Sequence, residues 1–279
     1  KFKVYGENYY KDALFYIKNN IYIPLKKSET KFLISHIKLD KKKNYHNNTV
    51  VGVDQIYLGK ELIYEEDIYI TKNKNIVKEI DNKGLKPKLF LHACCGPCLT
   101  YPLTELVNHF DVTVGYINQN IYPKEEYDRR EETLRRFVKE FNEENNLNVD
   151  VISLPYDYDS FFPLIEKYGP IREGLERCTF CHWYRMNKAY KYANDNHYEY
   201  FATVMTVSSK KPSAILNEIG ISLNKEYTNT KFLVSDFKKE DGQLKGIRIA
   251  KAHNMYRQDY CGCSYSLEAR KNYLKEKKL

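Results

Sequence analysis

The sequence predicts an α/β fold with a mostly parallel sheet flanked by helices, preceded by a small α+β appendage. After about residue 88, strand-like runs alternate with helical patterns, which is the order expected of a parallel sheet. The composition is that of a globular protein, with 42% hydrophobic and 29% charged residues. The length of 279 residues allows one large domain or two smaller ones.

Five short apolar runs predict the strands of this sheet. The first run, KLFLHA, leads directly into a group of cysteines. The predicted strands cover residues 88–93, 112–117, 149–155, 198–207 and 231–237. Sites in such sheets lie beyond the carboxyl ends of the strands, so we expect the residues that follow 93 to face the site.

Helical spacing follows the strands. Pro97 stands near the first turn of the first helix, where its missing N–H costs little. The segment from residue 123 opens with proline and acids and then becomes basic, the order that a helix dipole favours. The predicted helices cover residues 99–110, 123–146, 178–195, 213–227, 246–256 and 266–278.

Residues 1–87 differ from the rest and are predicted to form an N-terminal appendage of unknown role. Residues 50–72 resemble a hairpin or short meander that turns at Leu58-Gly59-Lys60, and residues 81–88 resemble a linker. The lysine run 41–43 is interpreted as a solvated loop rather than a binding patch. No chemical motif is evident in this part of the chain.

The net charge of +8 is unevenly distributed. Residues 1–88 carry 18 lysines, no arginine and 11 acidic residues, a net charge of +7, whereas all ten arginines follow residue 88. Such a basic excess attracts polyanions but is weak evidence for nucleic-acid binding by itself. No apolar run approaches the length of a membrane span and no secretory signal is evident, so we expect a cytoplasmic protein.

All seven cysteines follow residue 93 and fall into three tight groups. The groups are CCxxC, with Cys94, Cys95 and Cys98, then CxxC, with Cys178 and Cys181, and CxC, with Cys261 and Cys263. An odd number without a secretory signal argues against a disulfide framework and favours metal or redox chemistry.

The adjacent cysteines favour an iron-sulfur cluster over structural zinc. A structural zinc site would use two matched CxxC knuckles, and only one is present. Adjacent thiolates suit the separate corners of a multi-iron cluster, and the simplest full ligand set for a [4Fe-4S] cluster is Cys94, Cys95, Cys178 and Cys181. This leaves Cys98 as a spare thiolate and Cys261 with Cys263 as a short pair of the kind that is redox-active when oxidised.

From about residue 88 to 270, the chain resembles the epoxyqueuosine reductases of the QueH type. The resemblance is carried by the segments LHACCGPC, NIYPKEEYDRR, ERCTFC, SDFK and YRQDYCGCSYS, in the family's order and with comparable gaps. The family commonly has alanine where Gly96 stands here. With this resemblance, residues 88–279 are predicted to be an iron-sulfur reductase domain with a HUP/PP-loop-like three-layer core.

The resemblance implies reduction of epoxyqueuosine to queuosine at the wobble position of tRNA, the last step of queuosine biosynthesis, without cobalamin. It implies that Cys94, Cys95, Cys178 and Cys181 bind a [4Fe-4S] cluster and that Cys261 and Cys263 form the redox-active pair. It also implies an additional iron, which Cys98 is placed to ligate. The predicted partners are tRNA carrying epoxyqueuosine and an unidentified electron donor, with no membrane.

Several residues near the motifs are candidates for contact with RNA or for proton transfer. Tyr122, Arg129 and Arg130 follow the second strand and suit stacking on anticodon bases, although a helix stabilised by ion pairs explains the arginines equally well. His182, Asp259 and Tyr260 are proton-donor candidates through their proximity to cysteines.

Two other functions stay open from the residues alone. A tRNA thiolation enzyme would share the strand-loop-helix core and CxxC, but the Gly-rich loop SGGxDS that ATP-dependent activation requires is missing. A zinc-stabilised RNA-binding module would explain clustered cysteines without catalysis.

Overall fold

The computed structural model describes residues 36–39, 53–58, 61–65 and 68–277, with side chains from residue 73 onward. The chain divides into two compact units, residues 1–72 and 73–279. In the first unit, strands β1 (His36–Leu39), β2 (Val53–Leu58) and β3 (Glu61–Glu65) form an antiparallel sheet in that order. The pairing of β2 with β3 confirms the predicted hairpin, while the lysine run 41–43 lies outside the described residues.

Helix α1 (Ile68–Asn82) leads to the second unit and was not predicted from the sequence. Its last part packs there, since Ile80 is buried and the Asn73 side chain donates a hydrogen bond to the carbonyl of Val234 at 2.9 Å. Asn73 and Ile80 therefore pack within the second unit, whereas residues 81–86 of the predicted linker are exposed.

The second unit contains a sheet of five parallel strands. These are β4 (Lys88–Ala93), β5 (Asp111–Tyr116), β6 (Asp150–Ser153), β7 (Tyr200–Thr203) and β8 (Lys231–Phe232). Their order across the sheet is β6-β5-β4-β7-β8, with parallel pairing throughout. The predicted α/β class is confirmed. The chain reverses its winding direction between β4 and β7, and ligands bind at this point in sheets of this type.

Helices cover this sheet. The remaining described helices are α2 (Gly96–Leu106), α3 (Lys124–Asn145), α4 (Tyr158–Glu166), α5 (Glu176–Asp195), α6 (Ser213–Leu223), α7 (Gly242–Ala252) and α8 (Ser264–Glu276). Helix α3 buries Tyr127, Leu134, Phe137 and Phe141 along one face, and it ends where Asn146 adopts a left-handed conformation. Pro97 occupies the first turn of α2, as the sequence predicts.

Two predicted strands end at least four residues earlier than expected, and local hydrogen bonds explain why. The run 198–207 ends as a strand at Thr203, whose hydroxyl accepts from the N–H of Met205 and begins a short 3₁₀ turn. The run 231–237 ends as a strand at Phe232. Beyond it, the side-chain amide of Asn217 exchanges two hydrogen bonds with the backbone of Ser235, in place of a neighbouring strand.

Candidate metal and redox centre

Three cysteines lie at the carboxyl end of the central strand β4. Cys94 follows the strand, Cys95 precedes the first turn of α2 and Cys98 lies within that turn. Their sulfur atoms are all within 4.8 Å of one another, and the sulfurs of Cys94 and Cys95 are 3.9 Å apart. Hydrogen bonds from the thiols of Cys95 and Cys98 lower the pKa of Cys94 well below its usual range. The thiol triad, as we call these three residues, is therefore a ready donor set for a thiophilic metal.

The other four cysteines lie close together beside this triad. Cys178 and Cys181 lie in the first turns of α5, while Cys261 and Cys263 lie in the segment that leads into α8. All four line one small cavity of about 20 Å³. Each of the seven cysteines is a free thiol, and no two are joined by a disulfide. The redox-active disulfide thus stays a prediction.

One open cleft joins the three cysteine motifs. It has a volume of about 460 Å³ and is lined by one cysteine of each motif, Cys98, Cys178 and Cys261. Each motif lies at the start of a helix, α2, α5 or α8. Helix N-termini carry partial positive charge, which favours a thiolate. At the CxxC motif, burial opposes this effect and raises the pKa of Cys178 and Cys181.

A buried arginine, Arg185, lies close to these sulfur atoms. Arg185 is 2% exposed, and its Nη2 donates a hydrogen bond to Met205 Sδ at 3.1 Å. Within the described part of the chain, its Nε atom has no hydrogen-bond partner. A buried cation requires nearby negative charge, because burial of an unpaired charge costs several kcal/mol. Burial opposes the charge of Arg185, but its interactions with Cys181, Cys94 and Cys261 outweigh burial and raise the pKa of Arg185. Among the cysteines of the thiol triad, Cys94 has the lowered pKa and so offers the readiest negative charge.

A lysine adds a second positive charge on the cleft side. Lys211 lies in the loop that follows β7 and lines the cleft together with Cys98 and Cys261. Burial opposes its charge, but the charges of Cys94, Cys261 and Cys98 outweigh burial and raise the pKa of Lys211. The residues therefore fit an anionic, thiolate-bound metal group. The sulfurs are gathered, one of them is readily ionised, and two cations offset the resulting negative charge.

Two buried histidines beside the cysteines are neutral. His92 Nε2 donates to the carbonyl of Ile117 at 3.2 Å, because a carbonyl can only accept, and Nδ1 accepts from the hydroxyl of Thr203 at 3.1 Å. Burial, with the nearby charge of Arg185, lowers the pKa of His92 to about 3. Burial and the charge of Lys211 do the same for His182, a predicted proton donor. At neutral pH, neither imidazole carries the extra proton.

The other two proton-donor candidates lie beside the CxC motif. Asp259 forms an ion pair with Arg270 at 2.8 Å, and the Tyr260 hydroxyl donates to the carbonyl of Tyr122 at 2.7 Å. Both residues line the cleft. Their role in proton transfer stays a prediction.

The three RNA-contact candidates occupy different environments. Tyr122 is 42% exposed, with its ring centre 5.0 Å from that of Tyr158. Arg129 is exposed, and its guanidinium lies 3.6 Å from the ring centre of Tyr256. Arg130 is only 2% exposed and binds the backbone of the CxC segment. Tyr122 and Arg129 are thus available on the surface, whereas the guanidinium of Arg130 is already engaged within the protein.

Several residues of the site were missed by the sequence interpretation. Arg185 follows Cys181 by four residues on α5, so their spacing on one helix face was a usable signal. Lys211 belongs to the segment SSKKPS, residues 208–213, whose composition is typical of a turn. Asn118, Gln119 and Asn120, three consecutive buried amides after β5, each leave a side-chain oxygen without a partner, and Asn120 lines the small cavity with the cysteines.

Comparisons with known proteins agree on one family. Residues 89–269, about two thirds of the chain, match the family model described as "Epoxyqueuosine reductase QueH". Residues 3–76 match the model described as "Penicillin-binding protein 5, C-terminal domain", which covers about a quarter of the chain.

Curated relatives that carry the first of these names cover the same part of the chain. A Staphylococcus aureus protein named "Epoxyqueuosine reductase QueH" is 35% identical over 195 residues, 69% of this chain and 81% of the relative. A Streptococcus pyogenes protein of that name is 36% identical over 193 residues, which are 69% of this chain and 75% of the relative. A Thermotoga maritima protein of that name is 28% identical over 184 residues, which are 66% of this chain and 92% of the relative. The chain belongs to the epoxyqueuosine reductase QueH family.

Proposed function

We propose that this protein reduces epoxyqueuosine to queuosine at the wobble position of tRNA, the last step of queuosine biosynthesis. The observation that carries the proposal is the convergence of all three cysteine motifs on one cleft in a member of this family. The reaction balances as epoxide plus two electrons and two protons giving the cyclopentene and water. A chain of this oxidoreductase family with three thiols at the cleft and four more close by suits such a two-electron deoxygenation.

The same proposal assigns the cysteines. Cys94, Cys95, Cys178 and Cys181 would bind a [4Fe-4S] cluster, and Cys98 would ligate an additional iron. The cluster, when bound, supplies electrons one at a time. The described thiols group Cys98 with Cys94 and Cys95, while Cys178 and Cys181 border the neighbouring cavity. The donor set supports a metal centre, and its metal and ligands are part of the proposal.

The residues around the centre have separable tasks. Arg185 and Lys211 offset the negative charge of the thiolates, one from the protein interior and one from the cleft. The Cys261 and Cys263 dithiol passes two electrons and two protons inward as it closes to a disulfide, and an external electron donor reopens it. Tyr122 and Arg129, on the surface, are the residues proposed to stack on bases of the anticodon loop.

Nucleoside mass spectrometry tests the reaction itself. Purified protein, prepared without oxygen, is incubated with a chemical reductant and tRNA carrying epoxyqueuosine, with no cobalamin added. We expect a product lighter by one oxygen atom, and we expect its loss in Cys94→Ser. Unchanged epoxyqueuosine with an iron-loaded protein would contradict the proposal, and a product that gains sulfur would indicate thiolation instead.

Metal analysis of single variants tests the ligand assignment. If Cys98 binds only the additional iron, Cys98→Ser retains the visible absorption of the cluster and loses about one iron per protein. Cys178→Ser, which removes a proposed cluster ligand, should lose most of the cluster absorption. The reverse pattern would replace Cys178 by Cys98 in the ligand set, and tightly bound zinc in place of iron, without conversion of tRNA, would favour an RNA-binding module.

A further inference from the structure

The backbone around the CxC motif forms hydrogen bonds with several groups from other parts of the chain. We call residues 260–263 the CGC loop. The carbonyl of Gly262 accepts from the N–H of Tyr122 at 2.7 Å, and the N–H of Gly262 donates to the hydroxyl of Ser266 at 3.1 Å. The carbonyls of Tyr260 and Cys261 are bound as well, by Arg130. The position of the two thiols is therefore set by partners outside the loop.

Arg130 makes the most extensive of these contacts. Its Nη1 donates to the carbonyl of Cys261 at 3.0 Å and its Nη2 to the carbonyl of Tyr260 at 3.2 Å. Its Nε pairs with Glu126 at 2.7 Å, and Glu126 also accepts from the hydroxyl of Tyr256. With both nitrogen atoms of the fork on consecutive carbonyls, the guanidinium fixes the loop's direction as well as its position.

Gly262 fits this contact and no larger residue would. Its φ of +139° lies where residues with a side chain are strained. A Cβ atom there would stand 3.2 Å from Nη1 of Arg130, 3.2 Å from Ile121 and 3.3 Å from the side-chain nitrogen of Asn120. The glycine between the two cysteines thus lies directly against the arginine.

We propose that Arg130 is a positioning residue that holds the CGC loop in its dithiol form and thereby raises the reduction potential of the Cys261–Cys263 pair. This rests on the proposed function, in which that pair carries electrons. In this proposal, closing the disulfide to an S–S length of about 2.05 Å also turns the carbonyls of Tyr260 and Cys261 away from Arg130. Bonds that exist in the dithiol and weaken in the disulfide stabilise the reduced form, which makes the pair more oxidising.

The equilibrium with glutathione measures this stabilisation directly. Two thiols lose two hydrogens and form one S–S bond, while oxidised glutathione takes up both electrons and both protons to become two reduced molecules. The anaerobic holoenzyme is equilibrated over a series of glutathione ratios, alkylated and digested with trypsin. Cleavage after Arg257 and Arg270 releases residues 258–270, which contain Cys261 and Cys263 and none of the other cysteines.

We expect Arg130→Gln to shift the equilibrium about tenfold toward the disulfide, equal to about 30 mV for a two-electron couple. Arg130→Lys keeps the charge and one donor, so it should recover part of the shift. Arg136→Gln is the matched control. Arg136 also lies on α3 and donates to carbonyls of the preceding segment, those of His253 and Asn254, but it does not contact the loop. Its equilibrium should match that of the wild type.

An unchanged equilibrium in folded Arg130→Gln, or an equal shift in Arg136→Gln, would overturn the proposal. If Arg130→Gln does not fold, Glu126→Gln weakens the hold on the arginine more gently and should shift the equilibrium in the same direction; no shift there would also overturn it. The thiol equilibrium is measured without tRNA. Failure of epoxyqueuosine reduction would therefore leave this result intact, and the reverse is also true.

Discussion

At the scale of single residues, the buried charge of Arg185 influences whether the cysteines around it are protonated or ionised. Its guanidinium is held away from water, with Met205 Sδ as a hydrogen-bond partner. A set of neutral thiols would leave that charge uncompensated, at a cost of several kcal/mol. The buried charge of Arg185 therefore favours negative charge close by, which the lowered pKa of Cys94 can supply, and it is compatible with a thiolate-bound metal at the thiol triad.

Replacing Arg185 should weaken metal binding. Arg185→Met keeps the volume and removes the charge, and we expect metal affinity to fall about 10- to 100-fold, as is typical when a partner of a ligand is lost. The measurement is the metal content after anaerobic purification and competition with a chelator. Arg185→Lys, which keeps the charge, should retain metal better than Arg185→Met, and equal losses in the two variants would contradict the electrostatic explanation.

The glycine of the CxC motif should be sensitive to a single methyl group. Gly262→Ala combines backbone strain with three close contacts, so we expect the free energy of unfolding to fall by about 1–3 kcal/mol. Gly169→Ala is the control, since Gly169 also has a positive φ, of +64°, but has nothing within 4 Å of the added carbon. Denaturant unfolding of both variants makes the comparison, and a larger loss for Gly169→Ala would contradict it.

The proposed role of Cys261 in electron transfer predicts a kinetic difference. Cys261→Ser should slow repeated turnover more than a single turnover of pre-reduced enzyme, because a chemical reductant loads the electrons for the first turnover beforehand, whereas each later turnover would need new electrons through the pair. Product formed per enzyme in the first turnover is compared with the steady-state rate. Equal losses in both would argue against an electron relay.

The cysteines could be identified from the sequence because their close spacing is itself typical of metal or redox sites. Neighbours that lie far from the cysteines in the sequence could not be found that way. Lys211 joins the site through the loop after β7, more than 100 residues from Cys94, and only the order of strands in the sheet brings the two together. Arg130 was interpreted as a surface residue able to contact RNA, and its burial depends on the CGC loop packing over it.

At the scale of elements, one histidine links the three central strands by hydrogen bonds near the carboxyl edge of the sheet. His92 on β4 bonds the hydroxyl of Thr203 on β7 and the carbonyl of Ile117 just after β5, so it joins the three central strands below the thiols. This fixes the turn at which Cys94 and Cys95 leave the sheet.

Removing this link should cost much of the fold's stability. His92→Leu leaves a buried hydroxyl and a buried carbonyl without their partner, and we expect about 2–4 kcal/mol of destabilisation in urea unfolding. His109→Gln is the control, because His109 forms a partly exposed pair with Asp81 that should contribute about 0–1 kcal/mol. Similar losses for the two histidines would contradict this interpretation of the edge.

The elements that the sequence did not predict have weak local patterns. Helix α4 contains Pro163, and the Asp157 side chain caps its start by accepting a hydrogen bond from the N–H of Ser160. This cap can be recognised only in the folded chain. The longer helices α3 and α5 were predicted within two residues of their observed ends, because their apolar faces repeat over many turns.

At the scale of the whole molecule, the charge is shared more evenly than the sequence interpretation held. With the division after residue 72, the first unit carries 13 lysines against nine acidic residues, a net charge of +4, and the second unit carries the other +4. Every arginine and every cysteine lies in the second unit. No helix in the described part of the chain is long and apolar enough to cross a membrane.

This distribution predicts how salt affects tRNA binding. If the first unit contributes lysines to phosphate contacts, deletion of residues 1–72 should make the plot of log affinity against log salt shallower, since fewer counterions are released. Binding is measured from about 50 to 200 mM salt, with the deletion variant checked for its metal content. An unchanged slope would show that these lysines do not contact the RNA.

The three cysteine motifs also leave the ribosome at different times. Cys94 precedes Cys263 by about 170 residues, which corresponds to roughly 10–30 s of synthesis at typical rates. During that interval, the thiol triad is exposed to the cell without the other four cysteines. Its earliest encounters are therefore with oxidants and with free thiophilic ions. If the proposed cluster forms, its loading has to follow synthesis or displace an earlier occupant.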